Sequence, residues 1–313
     1  MYKVLNTVDF SGCDGAFDNL RSIAIVDSVK PDKNLVSEII HKYDVYISTL
    51  EFRLDRALID KAVNLKVVAT PSTGTDHLDL KYLSEKGILC FDLSKEYDLI
   101  NSFSATSELA FILLQVVNRK IYPAIISAKS GFWGRETFCG NQLLGKTMGI
   151  IGVGRLGKIS SRIANGYGMK VIGNDIENKD VPGVEMVAIE ELCERSDFIS
   201  IHVHLNESTR NLICKKLISL MKPSCILINT SRGALINEND LLEALQNKKI
   251  AGAGLDMIDG EWLDNKLSHP LVEYSLNNDN LVITPHIGGV TYESIYGARI
   301  FIAEKIFKYL NEK

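Results

Sequence analysis

Cysteine is sparse and badly placed for cross-linking: six in 313 residues, none in a C-x-x-C pair. That excludes a disulfide framework and leaves no zinc ligand set. Cys90 and Cys225 sit inside apolar runs, which reads as buried free thiols in a reducing cytoplasm. Positive charge is short as well. Lys and Arg number 35 against 39 Asp and Glu, a net of -4, so there is no basic footprint for nucleic acid or anionic lipid. The longest apolar run, 109–117, is interrupted by Gln115 and is too short to span a bilayer. The opening MYKVLNTVDF lacks the charged and then apolar segments of a secretory signal, and no repeat or low-complexity tract appears. What remains is a globular chain, 46% apolar, long enough for two domains that each bury a core.

The first hundred residues alternate β-branched runs with amphipathic segments. Strands are expected at 3–8, 22–26, 45–48, 65–69 and 88–91, with helices at 34–41, 54–62 and 78–86. A longer helical pattern covers 101–120, followed by the loop Gly131-Phe132-Trp133-Gly134-Arg135. A second series then places strands at 148–151, 171–174, 197–202, 225–229, 250–254 and 281–284. Its helices are expected at 156–164, 189–195, 212–221 and 238–246, the last opened by an Asn237 cap with Asp240 as its third residue. A final helix over 292–310 is expected to return to the first domain. Strands alternating with helices predict an α/β fold with two doubly wound, Rossmann-like parallel sheets.

One turn joins this pattern to a ligand. The apolar strand Gly149-Ile150-Ile151 runs straight into Gly152-Val153-Gly154-Arg155-Leu156-Gly157, and a helix opens at Leu156. In such a turn the first glycine bends the chain and the second admits a pyrophosphate. The third lets the helix pack on the strand, and the helix N-terminus faces the phosphates. Asp175 ends the next strand, where an acid accepts from both ribose hydroxyls and repels a 2′-phosphate; Ile176-Glu177-Asn178 offers no arginine to hold one. The cofactor expected is therefore NAD.

Three polar residues follow later strand ends. Arg232 lies in Asn229-Thr230-Ser231-Arg232-Gly233, His286 follows Thr284-Pro285, and Glu261 lies between them in sequence. Reducing a 2-oxo acid needs a carboxylate anchor that polarises the carbonyl, for which the guanidinium fork is suited. It also needs a proton donor titrating near working pH, which favours histidine, and a carboxylate beside the ring would favour the imidazolium. His202 and His204 flank Val203 and could both face the cofactor, but without a third ligand they make no metal site. His41, His77 and His269 read as surface, helix-entry and loop residues.

The chain resembles the D-isomer-specific 2-hydroxyacid dehydrogenase family, which includes D-3-phosphoglycerate dehydrogenase. The resemblance is carried by Ser72-Thr73-Gly74-Thr75-Asp76-His77, the glycine turn, Leu220-Met221-Lys222-Pro223, Ile228-Asn229-Thr230-Ser231-Arg232-Gly233, Gly254-Leu255-Asp256 and Thr284-Pro285-His286-Ile287-Gly288-Gly289. It implies Arg232 as carboxylate binder, His286 as acid/base and Glu261 as its partner. It implies NAD contacts from Gly152, Gly154, Arg155, Leu156, Gly157, Asp175, His204, Thr230 and Asp256, the last at the nicotinamide carboxamide. Backbone around Thr73 and Gly74 would hold the substrate carboxylate. The implied layout is a flavodoxin-like substrate domain over 1–100 plus 287–313, a Rossmann domain over 101–286, a cleft between them, and a homodimer formed through the cofactor domains. With nothing after residue 313, no appended effector domain is expected.

Two departures matter. The family usually has proline where His204 and Trp262 stand, and members acting on phosphorylated substrates tend to carry arginines where Thr49 and Thr70 stand. Arg53 is the nearest cation, which speaks against phosphohydroxypyruvate. An alternative from another class is an NAD(H)-sensing binding protein resembling the C-terminal binding protein corepressors, which keep the same triad.

Overall fold

The computed structural model describes the whole chain except residues 178–179 and 263–264. The chain forms two compact units: Met1–Phe103 with Val290–Lys313, and Ser104–Gly289.

The first unit holds five parallel strands, β1 (Tyr2–Asn6), β2 (Ala24–Ser28), β3 (Val45–Ile47), β4 (Val67–Ala69) and β5 (Leu89–Phe91), in the order β2-β1-β3-β4-β5. That is the flavodoxin-like order, in which the crossover reverses between β1 and β3. β3 and β4 are buried throughout, as expected of central strands covered on both faces. The helices are cut to length by acids: Asp32, Asp55 and Asp79 each cap one through their side chains. A helix that sequence patterning did not predict, Asp14–Ile23, buries Phe17 and Leu20 in one cluster with Ala298, Ile302 and Ile306 of the terminal helix Tyr292–Asn311.

The second unit holds β6 (Thr147–Ile151), β7 (Lys170–Asn174), β8 (Glu185–Met186), β9 (Phe198–Ile201), β10 (Ile226–Asn229), β11 (Gly252–Leu255) and β12 (Leu281–Ile283). All pair parallel, in the order β12-β11-β10-β9-β6-β7-β8, so the switch point falls between β6 and β9. Helix Ala105–Asn118 buries Ala110, Phe111, Leu113, Leu114 and Val117 in the core shared with β10. The segment Tyr97–Asn118 is long and apolar enough to cross a membrane by length and composition alone. The backbone nevertheless breaks between Tyr97–Ile100 and Ala105–Asn118, and the apolar side chains of the second piece serve the core.

The helix expected over 101–120 is therefore shorter, and a second one, Ile121–Lys129, follows Lys120 in the left-handed region at φ 50. Pro123 stands in its first turn, where a missing N–H breaks no bond. Asn237 caps Glu238–Gln246 by accepting from the Asp240 N–H at 3.2 Å. The Asp240 carboxylate accepts instead from the Lys215 N–H at 2.7 Å, tying this helix to its neighbour.

Candidate active site

The glycine turn sits at the switch point of the second sheet, and its three glycines meet three different demands. Gly152 has φ +90, and a Cβ there would lie 2.7 Å from His202 O. A Cβ on Gly157 would lie 2.0 Å from Gly152 O, so only glycine lets the helix Arg155–Gly166 approach the strand this closely. Beside Gly154 nothing comes within 4 Å. Gly154 is the N-cap of that helix and brings no side chain to it, so the end with the positive dipole is left open. Arg155 and Leu156 form the half-buried first turn.

Asp175, just past β7, accepts from the Val153 N–H at 2.8 Å and from the Glu177 N–H at 3.1 Å. It fixes the turn at the strand end where a ribose acceptor is expected. Asn178 lies outside the described residues. At the end of β10 the Thr230 hydroxyl is buried with no hydrogen-bond partner among the described residues. Buried hydroxyls are rarely left so. An orphan donor, an open helix end and a bare face at Gly154 all fit a dinucleotide.

His202 and His204 part company. His204 is exposed, and its carbonyl accepts from Thr209 Oγ1 at 2.7 Å. His202 turns inward, with Nε2 2.9 Å from both Ser160 Oγ and Ser200 Oγ, bolting the cofactor helix to β9. Its Nδ1 is buried without a partner among the described residues, and burial pushes the ring's pKa down to about 4. The strand ends at Ile201, so the alternation that would send both rings one way is already lost. Among the described residues no group of three potential ligands gathers for a metal.

The three polar residues lie on loops beyond β10, β11 and β12. Arg232 precedes a short 3-10 turn, Gly233–Leu235, and its carbonyl accepts from Asn229 Nδ2 at 2.7 Å. Gly233 is pressed against the next loop, since a Cβ there would lie 2.2 Å from Asp259 N. That loop leads to Glu261, whose Oε2 lies 2.7 Å from His286 Nδ1. Both side chains of the pair are mostly covered, 26% exposed for histidine and 19% for glutamate, so the contact is weakly screened. With Nδ1 committed to the carboxylate, Nε2 is the nitrogen left to exchange a proton.

Asp256 has no accessible surface. Its carboxylate accepts from Thr284 Oγ1, Ile287 N and Gly288 N, and burial raises its pKa against the pull of those bonds. The cofactor contact expected of it thus finds no exposed oxygen. Asn229 and Thr284 were not singled out from the sequence; neutral side chains at strand ends carry no signal of their own. In the first unit, Thr73 is exposed and Gly74 partly so, in the turn after β4, where Ser72 Oγ donates to Gly74 O at 2.7 Å.

Comparison with known proteins decides the family. Residues 111–288 match the NAD binding domain of the D-isomer specific 2-hydroxyacid dehydrogenases, and residues 11–99 match their catalytic domain. The chain belongs to this family. It is 36% identical over 287 residues to a hydroxypyruvate reductase of Thermotoga maritima, covering 91% of this chain and 90% of that one. It is 38% identical over 288 residues to a D-3-phosphoglycerate dehydrogenase of Methanocaldococcus jannaschii, covering 89% of this chain and 52% of that longer one. The D-lactate dehydrogenase of Aquifex aeolicus, solved with NAD and lactic acid, superposes with a TM-score of 0.86 at 25% identity over 99% of this chain and 96% of that one. This dehydrogenase is thus an NAD-dependent oxidoreductase that interconverts a D-2-hydroxy acid and a 2-oxo acid. The relatives reported are enzymes, and nothing in them favours a cofactor-sensing corepressor.

Proposed function

We propose that the substrate is a small, unphosphorylated 2-oxo acid and that Arg232, Glu261 and His286 process it. The observation that carries the assignment is the half-buried His286–Glu261 pair, 2.7 Å apart, on loops beside the Arg232 turn. NAD, held by the glycine turn and Asp175, would supply or take up the hydride. Arg232 grips the carboxylate with two parallel bonds and polarises the carbonyl. His286, protonated at Nε2, gives its proton to the oxygen that becomes the hydroxyl; in the reverse direction the neutral ring removes it. Glu261 keeps the ring oriented and stabilises its charge. Gly152, Gly154, Arg155, Leu156, Gly157, Asp175 and Thr230 are the candidate cofactor contacts. His204, exposed beside them, completes the rim, and the turn at Thr73 and Gly74 is the first unit's candidate substrate contact.

Support for an uncharged substituent comes from the first unit's strand ends. Hydroxyls gather there: Thr70 Oγ1 lies 3.0 Å from Ser72 Oγ, and Thr49 Oγ1 accepts from the Glu51 N–H. Arg53 donates to Asp76 O at 3.2 Å. The unpaired state of all six cysteines supports a reducing, cytoplasmic setting. We also propose a homodimer through the second unit, where helix Ile121–Lys129 buries none of its residues.

The test is NADH turnover with glyoxylate, pyruvate, hydroxypyruvate, phenylpyruvate and phosphohydroxypyruvate. Highest kcat/KM on glyoxylate or hydroxypyruvate is expected. Preference for phosphohydroxypyruvate would overturn the substrate class, and inactivity on every acid would overturn the assignment of the triad.

A further inference from the structure

A second carboxylate–imidazole pair stands behind the loop that carries Glu261. We propose that its members, Glu238 and His269, are positioning residues that hold that loop, an inference that rests on Glu261 being the partner of His286. Glu238 opens helix Glu238–Gln246, and His269, a loop residue by sequence, caps helix Pro270–Ser275. Their side chains are 16% and 7% exposed, with Glu238 Oε2 3.0 Å from His269 Nε2. The other carboxylate oxygen, Oε1, accepts from the Asp259 N–H at 2.8 Å. The pair thus grips the backbone two residues ahead of Glu261.

Local geometry fixes the tautomer of the ring. His269 Nδ1 accepts from the Leu271 N–H at 3.3 Å, so the proton sits on Nε2 and points at Glu238. Burial raises the Glu238 pKa against the pull of the Asp259 N–H and the ring. An acid serving only the helix dipole would do so equally well in water, so the enclosure calls for another role. Asp259 supplies it. Gly260 follows at φ +137, a backbone that glycine adopts far more readily than other residues, and Glu261 comes next. A glycine swings unless its neighbour is held. Ile258 is buried in the core on one side of that neighbour, and a Cβ on Gly233 would lie 2.2 Å from Asp259 N on the other. The ion pair from Arg210 to Asp259, 3.5 Å long with both side chains more than half exposed, adds little. Glu238 therefore sets the plane of the Ile258–Asp259 peptide by a directed bond and, through Gly260, the line on which Glu261 leaves.

The experiment compares Glu238→Ala, Glu238→Gln, His269→Asn, Glu261→Ala and the double variant Glu238→Ala with Glu261→Ala, all in the full chain. It reads kcat on the best 2-oxo acid, NADH affinity by fluorescence titration, and the thermal midpoint. Glu238→Ala leaves the Asp259 N–H unheld. It is expected to lower kcat by about 10- to 10²-fold, the order a misplaced catalytic group costs, with NADH affinity nearly unchanged. Glu238→Gln still offers an oxygen to that N–H but turns its NH₂ toward His269, so it keeps most of the kcat while its midpoint falls. His269→Asn keeps the helix cap and loses the Nε2 proton, which gives an intermediate loss of kcat. With Glu261→Ala present there is no carboxylate left to misplace, and Glu238→Ala lowers kcat no further. A lowered midpoint with kcat intact in Glu238→Ala would make the pair a stability element and overturn the proposal, as would a full additional loss in the double variant. If Glu238→Ala does not fold, wild-type kcat in His269→Asn overturns it. Full kcat in Glu261→Ala alone would overturn it by a separate route, through the acid/base assignment beneath it.

Discussion

At the scale of single residues, the pair formed by His286 and Glu261 serves both reaction directions through one geometry. Glu261 Oε2 lies 2.7 Å from Nδ1, which leaves Nε2 to exchange the proton. Glu261→Gln keeps the shape and a hydrogen bond but removes the carboxylate charge beside the ring. It should lower kcat in both directions, though by less than His286→Ala, which loses the proton carrier itself and should cost about 10²–10⁴-fold. Steady-state kinetics of wild type and the two variants, run in each direction, measure this. Unchanged kcat in Glu261→Gln would reduce Glu261 to a loop residue.

At the scale of elements, helix Ile121–Lys129 is conspicuous for what it leaves uncovered. Tyr122 is 60% exposed, Ile125 48% and Ile126 49%, and Trp133 in the following loop is 77% exposed. Adjacent apolar exposure of this kind is what an association surface presents. In the homodimer proposed above, Ile125→Glu should break the contact and halve the mass in light scattering while leaving each unit folded; an unchanged mass would place the interface elsewhere. Sequence patterning did not find this helix, because Pro123 reads as a breaker unless it falls in a first turn. Helix Asp14–Ile23 escaped for another reason: the cluster its Phe17 and Leu20 enter is completed by Tyr292–Asn311, far along the chain. β8, two residues long, is an addition to the sheet edge with no pattern to read. The glycine turn, Asp175 and the His286 loop were legible because their chemistry is local, set by steric limits and by residue types placed after apolar strands. The inward turn of His202 and the enclosure of Asp256 were not, since both depend on which neighbours the sheet brings alongside.

At the scale of the whole molecule, His202 links protonation to stability. Its ring titrates at about 4 in the fold against an ordinary 6.5. The unfolded chain therefore takes up the proton first as pH falls. The stabilisation is fully present above pH 6.5 and lost progressively down to pH 4. The shift corresponds to about 3 kcal/mol as an upper bound. Denaturant midpoints of the second unit should fall over that interval, and His202→Gln should flatten the slope; parallel curves would assign the acid sensitivity to other groups. The two units also differ in when they can be finished. The second is continuous in sequence, whereas the core of the first needs Ala298, Ile302 and Ile306 from the terminal helix beside Phe17 and Leu20. On the ribosome, Phe17 and Leu20 must therefore wait for Ile302 and Ile306, and the continuous unit translated between them is the first that can close.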